Sequence, residues 1–123
     1  MDIISLRGAT TAKDNTNESI DQSTLALLKE LIKVNNLTED QVINVIFSAT
    51  KDITARYPAV VLRETLKWTQ TAIMNVEEKT IDGQLPYCIR VLLTIKTDKP
   101  KNEYRHVYLN DAVKLRPDWI SEP

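Results

Sequence analysis

Residues 88–96, Cys88-Ile89-Arg90-Val91-Leu92-Leu93-Thr94-Ile95-Lys96, alternate in a way that only a sheet can use. At a repeat of two, Ile89, Val91, Leu93 and Ile95 make one continuous apolar face. Leu92 shares the other face with Cys88, Arg90 and Thr94. Such a strand rests one side on a core and presents a guanidinium from the opposite side. Val42-Ile43-Asn44-Val45-Ile46-Phe47 is β-branched and nearly uninterrupted, which suits a buried central strand. Asp2–Gly8 and Thr71–Glu77 read as further strands, with Ala9-Thr10-Thr11 leaving the first. Arg105–Leu109 reads as a short last one.

Helical patterning is confined to two places. Ile20, Leu27, Leu28, Leu31 and Ile32 recur at helical spacing and predict an amphipathic helix over about Glu18–Val34. Several polar residues between Lys13 and Asn17 can cap its start, and Asn35-Asn36 can end it. Thr38-Glu39-Asp40-Gln41 resembles a capping box, read as a single turn before the Val42 strand. Pro58 opens a shorter helix over roughly Ala59–Lys67. Asp82-Gly83 is a turn signal between the strands at 71–77 and 88–96, and Asn110–Lys114 is one helical turn before Leu115-Arg116-Pro117. The order is that of an α+β domain, a mixed β-sheet with one long amphipathic helix and one shorter helix. Helix cover is thin for so many β-branched residues, which predicts that the sheet completes its core in a closed homo-oligomer.

A chain of 123 residues with 42% hydrophobic and 27% charged content is expected to form one soluble domain, 1–123, with 118–123 a flexible tail. No membrane-spanning run or leader is visible, and the single cysteine, Cys88, fits a reducing compartment, so the cytoplasm is the expected location. The net charge of −1, with no basic stripe, argues against a nucleic-acid partner. One histidine and one cysteine make no metal site.

Of sixteen basic residues only six are arginine, yet four of these, Arg7, Arg63, Arg90 and Arg116, stand where a small domain has little structural use for them. Desolvating an unpaired guanidinium costs several kcal/mol. Arginines that converge do so around an anion held by forked hydrogen bonds, such as a small carboxylate or phosphate compound.

The motifs Arg7-Gly8-Ala9-Thr10-Thr11, Ser48-Ala49-Thr50, Tyr57-Pro58-Ala59, Arg63-Glu64, Cys88-Ile89-Arg90-Val91, Arg105-His106-Val107-Tyr108-Leu109 and Leu115-Arg116-Pro117-Asp118 resemble the monofunctional chorismate mutases of the AroH type. The match runs in register from Arg7 to Asp118. The resemblance implies a homotrimer forming a pseudo-α/β barrel, with active sites between neighbouring subunits. It implies the Claisen rearrangement of the dicarboxylate chorismate to prephenate, in phenylalanine and tyrosine biosynthesis, without metal or organic cofactor.

By that resemblance Arg90 donates to the breaking ether oxygen, Arg7 binds a carboxylate beside it, and Glu78 accepts from the ring hydroxyl. Tyr108 reaches a carboxylate, and Arg63 and Arg116 supply charge at the entrance. Tyr57, Ala59, Ile73, Met74 and Leu115 form the walls, with Tyr57 and Arg63 coming from the neighbouring subunit. Asn75, Met74 and Val60 depart from the family's pattern, where cysteine, threonine and lysine occur; the Asn75 amide retains the capacity to bind a hydroxyl or carboxylate. Period-two alternation puts Asn75 and Glu78 on opposite faces, so one site holds both only if the chain bends after Val76. His106 reads as a packed or surface residue, and Trp68 and Trp119 have no role. Two other functions fit the same arginines: a non-catalytic trimeric domain binding an anionic metabolite, and an imine-deaminase-like hydrolase with an intersubunit arginine.

Overall fold

The alternation at 88–96 becomes the centre of the structure, a computed structural model describing residues 1–115. Strand β4 (Cys88–Thr97) is flanked on both sides by antiparallel partners, β1 (Asp2–Thr11) and β2 (Val42–Ala49). Outside these, β3 (Ala72–Glu77) runs parallel to β2, and β5 (Val107–Tyr108) runs parallel to β1. The sheet order is β3-β2-β4-β1-β5.

Helix α1 (Asn17–Asn35) covers one face. Its buried residues, Ile20, Thr24, Leu27, Leu28, Leu31 and Asn35, fall on one stripe, the 3.6-residue period seen in the sequence. Thr16 caps the start, its hydroxyl accepting from the Ser19 N–H, and Asn36 closes the end in the left-handed conformation. The stripe lies on Leu6, Val45, Phe47, Val91, Leu93 and Ile95, all buried. Truncating any one of the larger of these, Leu6, Phe47, Leu93 or Ile95, to alanine would cost about 2–5 kcal/mol. Gly8 is where helix and sheet come closest: a Cβ there would meet Leu31 Cδ1 at 2.8 Å and Leu27 Cδ1 and Val91 Cγ1 at 3.1 Å.

Two expectations need adjustment. Strand β1 does not end at Gly8; Ala9, Thr10 and Thr11 continue it, paired with Arg90, Ile89 and Cys88. The second helix, α2 (Val60–Glu64), is shorter than Ala59–Lys67, because the Thr65 and Leu66 N–H groups both turn back to the Val61 carbonyl and Lys67 adopts φ 63°. The turn at Asp82-Gly83 forms between β3 and β4 as expected, and in the sheet β2 lies between those two strands. The single turn at Glu39–Gln41 before β2 is as expected, with the Gln41 side chain accepting the Thr38 N–H at 3.3 Å. The tail from Asp118 lies outside the described residues.

Among the described residues, no helix covers the second face of the sheet. Ile3, Met74 and Val76 on it are 65%, 59% and 44% exposed, and Ile46 and Leu92 are half-buried. No helix among the described residues is long and apolar enough to cross a membrane.

Candidate active site

The open face carries the charged residues. On β4, Arg90 stands directly across from Ala9 of β1 on one side and Ser48 of β2 on the other. Arg7 is paired with Leu92, two residues along from Arg90, so the two arginines are diagonal neighbours on one face, with Cα atoms on the order of 7–8 Å apart.

Glu78 joins them from the residue just past β3. Its N–H donates to the Ala49 carbonyl at 2.9 Å, prolonging the β2 contact beyond the strand end. Its carboxylate turns to the open face, where Ser48 Oγ donates to Oε2 at 2.7 Å and Arg90 Nε lies 3.2 Å from the same oxygen. The Arg90 contact is an ion pair by distance, since the Nε–H is not aligned with the oxygen and makes no hydrogen bond among the described residues. The side chains are 35% and 19% exposed, so water screens the pair only in part. Among the described residues no carboxylate pairs with Arg7. With one carboxylate beside Arg90 and none paired with Arg7 among the described residues, the surface keeps a local positive charge suited to an anion.

Tyr108, on β5, is paired with Ala9 and buried, packed with Ala9 and Ala112 against Leu115. Arg7 is tied to the segment before β5: its backbone N–H donates to His106 Nδ1 at 2.9 Å. That segment is itself held by the end of α1, where the Asn35 side chain accepts the Arg105 N–H at 2.7 Å and donates to the Arg105 carbonyl at 2.9 Å. Cys88, also on the Arg90 face, is buried. Burial pushes its thiol above the ordinary value of 9.0, with the Arg90 charge opposing the shift and Glu78 adding to it.

The other expected site residues gather elsewhere. Ile73 and Asn75 are paired with Val45 and Phe47, whose side chains are buried beneath the helices, so they face away from Arg90. The Asn75 Oδ1 accepts the Ala59 N–H at 3.4 Å. Tyr57, 68% exposed, lines with Pro58, Arg56 and Asn75 a cleft of about 300 Å³ that includes neither Arg7 nor Arg90. Arg63 is exposed on α2, and Met74 lies on the open face. Arg116 lies outside the described residues. The chain thus holds two groups: Arg7, Glu78, Arg90, Tyr108 and Leu115 in one, and Tyr57, Ala59, Ile73 and Asn75 in the other. Ser48 and His106 were assigned no role from sequence. Period-two alternation alone cannot find them, because their partners are set by register between distant strands.

Residues 3–119 match the family model for chorismate mutase type I. The chain belongs to the chorismate mutase type I family. It is similar to a chorismate mutase AroH from Bacillus subtilis, 41% identical over 96% of this chain and 93% of the relative. A second chorismate mutase AroH, from Thermus thermophilus, is 38% identical over 94% of this chain and 95% of the relative. Among solved structures, a chorismate mutase from Clostridium thermocellum superposes with a TM-score of 0.85 at 46% identity, covering 89% of this chain and 96% of that one. The family match spans every expected site residue from Arg7 to Arg116. Neither the binding-domain nor the imine-deaminase alternative is favoured by these relatives.

Proposed function

We propose that this chain is a chorismate mutase, converting chorismate to prephenate at a site completed by a neighbouring subunit. The observation that carries the reading is Arg90 with its Nε–H uncommitted, beside Glu78 and diagonal to Arg7, in a chain matched to that family over nearly its full length.

The reaction is unimolecular: an ether C–O bond breaks while a C–C bond forms, through a chair-like transition state. Negative charge grows on the ether oxygen and positive character on the ring, with no nucleophile and no proton shuttle required. Catalysis then consists of selecting the folded substrate conformer and fixing charges where they develop. In this reading Arg90 donates to the ether oxygen and Arg7 and Tyr108 hold carboxylates. Glu78 accepts from the ring hydroxyl beside the developing positive charge, and Arg63 and Arg116 attract the dianion at the entrance. Tyr57, Ala59, Ile73, Met74, Asn75 and Leu115 enclose the ring.

The separation of the two residue groups within one chain supports a homotrimer in which Tyr57, Ala59 and Asn75 of one subunit face Arg90 of the next. The exposed apolar side chains Met74 and Val76 on the open face support the same assembly, since association removes them from water. A buried, free Cys88 fits work in the cytoplasm. The test is to add chorismate to pure protein and follow the loss of its cyclic diene absorbance, identifying prephenate as product. Intact trimer without turnover would refute the proposal, and sedimentation of only the 14.0 kDa species at micromolar concentration would refute the shared site.

A further inference from the structure

We infer that Ser48 is a positioning residue that keeps the Glu78 carboxylate from closing onto Arg90, and so keeps the Arg90 guanidinium available to substrate. This inference rests on the chorismate mutase reading.

The geometry is specific. A carboxylate beside a free guanidinium settles into a two-pronged pair, both oxygens on parallel N–H groups, because that arrangement is stronger than a single contact. Glu78 and Arg90 do not form that pair. Their one ion-pair contact is Arg90 Nε to Glu78 Oε2 at 3.2 Å, without hydrogen-bond alignment. The Ser48 hydroxyl takes Oε2 at 2.7 Å, and Ser48 is the residue directly across from Arg90 on β2. Backbone pairing fixes the other end of the residue, through the Glu78 N–H on the Ala49 carbonyl at 2.9 Å. Held at both ends, the carboxylate gives Oε2 to Ser48, while its other oxygen makes no hydrogen bond among the described residues and is left for a substrate hydroxyl. Losing the serine donor frees the carboxylate to rotate, occupy the guanidinium with both oxygens and neutralise the cation that the ether oxygen needs.

The experiment is a double-mutant cycle in chorismate turnover. Ser48→Ala and Ser48→Cys are each expected to lower kcat by roughly tenfold or more, the scale of one hydrogen bond to a charged group, since a thiol fills the space but donates weakly. In a Glu78→Ala background the same changes are expected to alter kcat by less than about twofold, because no carboxylate remains to be held. A crystal structure of Ser48→Ala is expected to show both Glu78 oxygens on the Arg90 guanidinium. Unchanged kcat in Ser48→Ala overturns the inference, as do retained activity in Ser48→Cys alone (a packing role) and an equal loss in the Glu78→Ala background. An unmoved Glu78 carboxylate overturns it as well. Wild-type protein that does not turn over chorismate overturns the functional reading itself, so the two failures are distinguishable.

Discussion

The backbone N–H of Arg7 and Nδ1 of His106 are joined across 2.9 Å, linking a candidate substrate-binding strand to the segment that leads into the short edge strand β5. Removing the acceptor leaves a half-buried N–H unsatisfied. His106→Ala is therefore expected to lower stability by about 1–2 kcal/mol. A drop in kcat/KM for chorismate should accompany it as β1 loses its hold near Arg7. His106→Asn, which offers an oxygen in a similar position, should recover most of both. An Ala variant with an unchanged urea midpoint and unchanged kcat/KM would show the contact to be incidental.

Arg90 makes the strongest kinetic prediction. Arg90→Ala should cut kcat by ~10²–10³, by analogy with deleting one preorganised donor to a developing oxyanion. Arg90→Lys retains charge but not the planar fork, and should recover little of that loss if donor geometry matters. A near-normal rate for Arg90→Ala in stopped or continuous diene assays would remove this residue from the mechanism.

Much of this arrangement is legible in the chain, and the boundary is a physical one. Alternation at 88–96 is local, and it yields both the buried Ile89, Val91, Leu93 and Ile95 and the opposite placement of Arg90. The stripe of α1 is likewise written in spacing alone. What is not local is register. The pairing of Ser48 with Arg90, and of Arg7 with Leu92, depends on how strands far apart in the chain align. The reach of Glu78 toward Arg90 depends on a backbone bond to Ala49 beyond the last residue of β3. The shortening of α2 follows from a left-handed Lys67, a conformation that residue type does not announce. His106 is a lone imidazole until β5 is placed beside β1.

Close approach at Gly8 leads to a stability prediction. Gly8→Ala puts a methyl group 2.8 Å from Leu31 Cδ1 and 3.1 Å from Val91 Cγ1, so the Leu31 side chain, α1 or the sheet must shift. Overpacking of this kind costs about 1–3 kcal/mol, readable as a lower midpoint in urea. Because Gly8 lies between Arg7 and Ala9, activity should fall with it. Unaltered stability would mean that the Leu31 side chain yields freely.

Cys88 gives a pH prediction. Its thiol is held above 9.0 in the folded chain, chiefly by burial. Below that value both folded and unfolded chains keep the proton and this group contributes no pH dependence. From there up to the raised folded value, the unfolded chain ionises first, so stability declines as pH climbs. Comparing urea midpoints of wild type and Cys88→Ala from neutral to alkaline pH should show a steeper alkaline decline in wild type. In line with this, iodoacetamide should label native protein much more slowly than unfolded protein; equal labelling rates would contradict the burial argument.

The division of the expected substrate-binding residues between two sides of one sheet has a genetic reading. A chain with Arg90 removed still offers an intact Tyr57–Asn75 side, and a chain damaged at Tyr57 still offers an intact Arg90 side. On the proposed assembly, with its cleft shared between subunits, two alleles each inactive alone should regain partial activity when co-expressed, each supplying its undamaged side; absence of any complementation would count against the shared cleft.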